Sequence, residues 1–142
     1  SFTVENGQLK VAADSTYGDA VSVFDVGDYL PGYFEIQASV STMKPTGGWK
    51  ANAYVIFDYV DESDYKFAGI DGSTNKLVIG HRASWGWAVD KQVNFQAKHD
   101  TFHNLLVSVN GVNVTVVVNN KTSVAYTFQP RLVDGEWTTR DV

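Results

Sequence analysis

Between Tyr33 and Val40 the chain alternates without a break. Phe34, Ile36, Ala38 and Val40 fall on one side of an extended backbone, and Glu35, Gln37 and Ser39 on the other. A period of two marks a strand with one face in a core and one in water. Ala51–Tyr59 repeats it, with Ala53, Val55, Phe57 and Tyr59 on one side and Asn52, Tyr54, Ile56 and Asp58 on the other. Phe2–Glu5 and Gln8–Ala12 flank Asn6-Gly7, a pair suited to a two-residue hairpin turn. Ala20–Val26, Tyr65–Ile70, Lys76–Arg82, Ala88–Phe95, Asn104–Val109, Val112–Val118 and Ser123–Phe128 complete the series, with Trp85-Gly86-Trp87 in or beside a loop before the fourth of these. The prolines fall between the runs, where a missing N–H costs no ladder bond. No long window carries a helical period. Roughly ten short strands, with turn signals about every 8–12 residues, predict an all-β antiparallel two-sheet β-sandwich in one domain, residues 1–142. Its expected core includes Phe34, Ile36, Val55, Phe57, Leu77, Ile79, Leu105, Val107, Val114 and Val116.

Composition agrees with the pattern. Val, Ile and Thr number 36, against 6 Leu and 11 Ala, a bias toward pleated, half-buried surfaces. The absence of cysteine excludes thiol nucleophiles, thiolate zinc sites and disulfide scaffolds. A net charge of −5 without a basic cluster argues against nucleic acid. No apolar run approaches the ~18 residues of a membrane helix, so no membrane insertion is expected. The first residues already read as strand and turn, which puts any targeting segment upstream or absent.

Few motifs carry chemistry. His99-Asp100-Thr101-Phe102-His103 mimics a zinc signature, but that motif needs a helix to bring its histidines together. On a strand they stand about 13 Å apart, so a solvated turn is the expectation. Asp58 and Glu62 are similarly too far apart along an extended strand for a glycosidase pair, and no nucleophile elbow exists. No enzyme is expected. The acids of the Asp61–Asp64 turn are either an ordinary polar turn or oxygen ligands for a hard cation. Asp61 and Asp64 are the candidate calcium ligands.

The informative cluster is His81-Arg82-Ala83-Ser84-Trp85-Gly86-Trp87. Proteins grip sugars with flat aromatic rings under the apolar ring face and donors around the hydroxyls. Trp85 and Trp87 offer indoles, and His81 and Arg82 offer donors. Asn52 and Tyr54, placed on the wet face with Asp58 and Lys66, would complete a shallow groove, and Trp49 stands as a further indole. Arg82, Lys66 and Lys50 would suit an acidic polysaccharide locally. The competing reading is that one indole plugs the end of the sandwich and the other covers a loop.

Asp19 to about Val133 resembles a specific group: laminin-G-like, concanavalin-A-like sandwich domains of very large secreted or surface proteins of aquatic bacteria. The carrying segments are Asp19–Phe24, Leu30–Val40, Lys44–Tyr59, Asp64–Asp71, Thr74–Arg82 and Asn104–Gly111. The resemblance implies a jelly-roll sandwich, an extracellular or cell-surface location and a non-catalytic role in glycan binding or adhesion, and calcium is common in the wider superfamily. It also implies a Gly-rich stretch and a closing strand after Phe128–Arg131. Here Leu132–Val142 departs from that pattern, so the closing strand is expected to be missing or remodelled. An open sheet edge would then favour self-association. The alternative to a glycan-binding or adhesive module is a structural spacer or protein-contact domain of a large surface protein.

Overall fold

The computed structural model describes residues 1–15, 18–24, 26–27 and 31–138. It is all-β, and every strand pairing is antiparallel. Two four-stranded sheets form the body. One has the order β10-β9-β8-β3, built from β3 (Tyr33–Val40), β8 (His103–Asn110), β9 (Asn113–Val118) and β10 (Thr122–Thr127). The other is the meander β4-β5-β6-β7, from β4 (Asn52–Asp61), β5 (Asp64–Asp71), β6 (Lys76–Ala83) and β7 (Gly86–Asn94). Two separate hairpins lie near the ends, β1 (Phe2–Glu5) with β2 (Gln8–Val11), and β11 (Arg131–Val133) with β12 (Glu136–Thr138).

The turns explain the hairpins. Asn6 and Gly7 both have positive φ, 51° and 72°, as do Asp134 and Gly135 at 50° and 80°. That is the backbone a two-residue type I′ turn requires, and Asn, Asp and Gly reach it most readily. In β3 the alternation appears as expected, with Phe34, Ile36, Ala38 and Val40 the shielded positions.

Side chains from both four-stranded sheets meet in one buried cluster. Phe57, Ala68, Ile70, Leu77 and Ile79 come from the meander, and Leu105, Val107, Val109, Val114, Val116, Val118 and Val124 from the other sheet. Seven of the ten expected core residues are buried, while Phe34, Ile36 and Val55 pack against the cluster half-buried.

Three expectations change, and the C-terminal segment takes a definite form. Ala20–Val26 joins no ladder at any of its described positions. Val21, Val23, Phe24 and Val26 there stay exposed. Trp87 is not in a loop, because β7 begins at Gly86 and makes Trp87 its second residue. The C-terminal segment forms the short hairpin β11–β12 instead of joining either large sheet, and Trp137 there is exposed. Finally, the alternation of β4 fails after Phe57, where the register to β5 shifts between Phe57 and Asp61.

Candidate functional site

The break in β4 sets up everything around it. Up to Phe57 the strand keeps Val55 and Phe57 toward the core. Asp58 then takes φ of 48°, the left-handed region that Asp reaches more easily than most residues. A bulge of this kind adds a residue and reverses which way the following side chains point. Asp58 turns inward and Tyr59 outward. Lys66, opposite Phe57 in the register, lies on the inner face and is fully buried, not on the wet face. Its Nζ donates to Asp58 Oδ2 at 3.0 Å and sits 4.5 Å from the centre of the Phe128 ring. Two charges are thus paired inside the fold. His81, the cross-strand neighbour of Lys66, carries a second pair, with Nδ1 2.6 Å from Asp90 Oδ2 and the imidazole edge-on to Phe128.

The opposite face of the same sheet carries an aromatic layer. Phe67 is flanked by Tyr54 at 4.8 Å and Trp87 at 4.8 Å between ring centres, and Trp87 also meets Tyr65 edge-on at 5.6 Å. Gly80 makes this approach possible. A Cβ there would stand 2.5 Å from Phe67 Cζ and 2.1 Å from the Ala88 carbonyl oxygen. Burial, and secondarily the charge of Asp71, raises the Tyr54 phenol well above its ordinary pKa. The Tyr65 phenol is raised by burial first and by Asp19 next, while Arg82 opposes the shift.

At the bulged end of this layer lies a cleft of about 430 Å³. Its lining comes from three places. Asp19, Val21 and Val23, from the segment that precedes β3, form one wall. Glu62 and Ser63 come from the β4–β5 turn, and Tyr59, Tyr65 and Arg82 from the strands of the sheet. Tyr59 stacks on Tyr65 at 5.7 Å with 22° between the planes, and keeps 42% of its surface exposed. The wall is tied to the sheet by Trp87, whose Nε1–H donates to Asp19 Oδ2 at 2.9 Å. Tyr65, Arg82 and Trp87 form a cross-strand row, of which Tyr65 and Arg82 line the cleft.

This geometry divides the residues singled out in the sequence. Arg82, Trp87 and Tyr54 lie on one face of the sheet, Arg82 in the cleft and the other two in the aromatic layer beside it. Trp85 occupies the β6–β7 turn and is 72% exposed. His81 points to the other face, as alternation with Arg82 requires. Asn52 is paired to Asp71 and Arg82 to Tyr65, six residues apart along β5, roughly 20 Å at the usual rise. Trp49 and Lys50 precede that same distant end of β4. Tyr59, Glu62 and Asp19 were absent from the sequence-derived site. Tyr59 seemed to belong to the core by alternation, and Asp19 is brought in by a contact 68 residues distant in sequence.

The candidate calcium ligands have other partners. Asp61 Oδ1 accepts the Ser63 backbone N–H at 2.7 Å, and both oxygens of Asp64 accept from Arg131, at 3.2 and 3.3 Å. A guanidinium therefore faces Asp64. Among the described residues no three His, Asp or Glu side chains gather as a metal-holding group. His103 is not in a solvated turn. It is buried at the start of β8, with its ring nitrogens 3.2 Å from the Lys98 carbonyl oxygen and 3.0 Å from Asn119 Nδ2. No helix among the described residues is long and apolar enough to cross a membrane. Comparison of the chain with protein-family models, with curated proteins and with solved structures gave no match.

Proposed function

We propose that this protein is a non-catalytic carbohydrate-binding module whose site is the cleft at the bulged end of β4. The observation that carries the reading is the Tyr59 ring. It stacks on Tyr65, keeps part of its surface exposed, and shares the cleft with the hydrogen-bonding groups of Asp19, Glu62, Ser63 and Arg82. An aromatic platform encircled by donors and acceptors matches a sugar ring, with its apolar face and equatorial hydroxyls. The volume lies within the usual range of small-ligand sites, about 300–1,000 Å³. Trp85, exposed at the adjoining turn, extends the surface available to a longer chain.

The finer architecture belongs to the same proposal. The shared buried cluster supports two sheets facing one another as a sandwich, and the resemblance of Asp19–Val133 to laminin-G-like domains supports an extracellular or cell-surface setting. A second reading rests on its own observation. The N-terminal hairpin gathers Phe2, Val4, Leu9 and Val11 on one side, and all four are exposed. That surface favours a protein-contact role, including self-association. A glycan array probed with the wild-type protein and with Tyr59→Ala tests the primary reading.

A further inference from the structure

The cleft's charge goes further than its shape and rests on the glycan-binding reading above. Of the three cations that would have suited an acidic polysaccharide, Lys66 is buried in a pair with Asp58, and Lys50 precedes the far end of β4. Arg82 alone reaches the cleft, and its Nη1 already donates to the Ala83 carbonyl oxygen at 3.2 Å. Against it stand the carboxylates of Asp19 and Glu62, both on exposed residues of the lining. Asp61 adds a third negative charge at the same turn, while Asp64 is balanced by Arg131. The surroundings are therefore net negative, and the whole chain carries −5. The acids come from different parts of the chain, Asp19 from the segment before β3 and Glu62 from the β4–β5 turn, with Tyr59 and Tyr65 in the same cleft.

We infer that the cleft selects a glycan bearing protonated amines, a polymer of free hexosamine, over neutral and uronic acid chains. The ring stacks on Tyr59 while the ammonium is received by Glu62 and Asp19. Arg82 donates to a ring hydroxyl. A carboxylated sugar in the same pose would set its charge against two acids, and long-range repulsion from the protein would slow its approach.

The test is calorimetric titration of the intact chain with three oligosaccharides of equal length. These are a glucosamine tetramer, its fully N-acetylated counterpart and a galacturonic acid tetramer. The glucosamine tetramer should bind at least about tenfold tighter than the uronate, with affinity falling as salt is raised. Glu62→Gln and Asp19→Asn should each weaken glucosamine binding by about two- to fivefold, as expected of exposed ion pairs. Asp19→Asn retains an oxygen acceptor for the Trp87 indole, so the wall should keep its tether. Equal or tighter binding of the N-acetylated tetramer, or indifference of glucosamine binding to both substitutions, would overturn the charge selectivity while leaving glycan binding intact. Failure of all three to bind would overturn the selectivity and count against the glycan-binding reading itself.

Discussion

Asp58 is the residue on which the site turns. Its left-handed backbone sends its own carboxylate to Lys66 and frees Tyr59 to stack outward on Tyr65. Lys66 is therefore structural, and removing it should be costly. Lys66→Met leaves Asp58 buried without a partner, which should cost about 3–5 kcal/mol in urea denaturation, whereas Lys66→Met with Asp58→Leu should recover much of that loss. If the single variant unfolds at the wild-type midpoint, the pair is not buried as described. The tyrosines give a second check. The phenols of Tyr54 and Tyr65 are both raised in the folded protein, so the fold holds their protons more tightly than the unfolded chain does. Their contribution to stability is complete below pH about 10, the unfolded value, and is lost as pH rises from there toward the folded pKa values. Stability should thus fall above pH 10, and Tyr54→Phe should flatten that fall. Ultraviolet titration showing every tyrosine ionising together near 10 would contradict it.

Among the elements, β7 separates the two neighbouring tryptophans. Trp87, the second residue of the strand, packs on Phe67, Tyr65 and Tyr54 and anchors Asp19. Trp85, one residue before the strand, stands in the turn. Trp87→Ala should lose about 2–3 kcal/mol, less than a fully buried indole because this one is half-exposed, and Trp85→Ala should stay within about 0.5 kcal/mol of wild type. Equal losses would mean that the strand begins elsewhere. The sequence reads this region well where a period of two holds. The shielded side of β3, most of the core, and the strand status of β4 through β10 are all visible in alternation and turn residues. It reads poorly where a single residue reverses the period. Nothing in Phe57-Asp58-Tyr59 distinguishes a regular strand from a bulged one, because Asp is tolerated in both. That one ambiguity put Tyr59 and Asp58 on the wrong faces. Ala20–Val26 misled for a different reason. Its apolar residues suit a strand, but a ladder needs a neighbour, and local sequence does not say whether an edge is free.

For the molecule as a whole, the meander sheet serves two ends. Its inner face shares a core with the second sheet, and its outer face carries the aromatic layer and the cleft. A binding platform raised on a packed sheet is held more rigidly than one on a free loop, which favours a preformed site. Among the described residues, neither of the separate hairpins β1–β2 and β11–β12 lines the cleft. Glycan binding through Tyr59 is the centre of this account, and one comparison reaches it most directly. Wild type, Tyr59→Ala and the distant control Trp137→Ala are applied to the same glycan array, with folding of each checked by circular dichroism. The account predicts that wild type and Trp137→Ala retain the same glycans, while Tyr59→Ala, still folded, loses them about tenfold or more, the weight of one stacking ring. A folded Tyr59→Ala that binds as wild type does would contradict it.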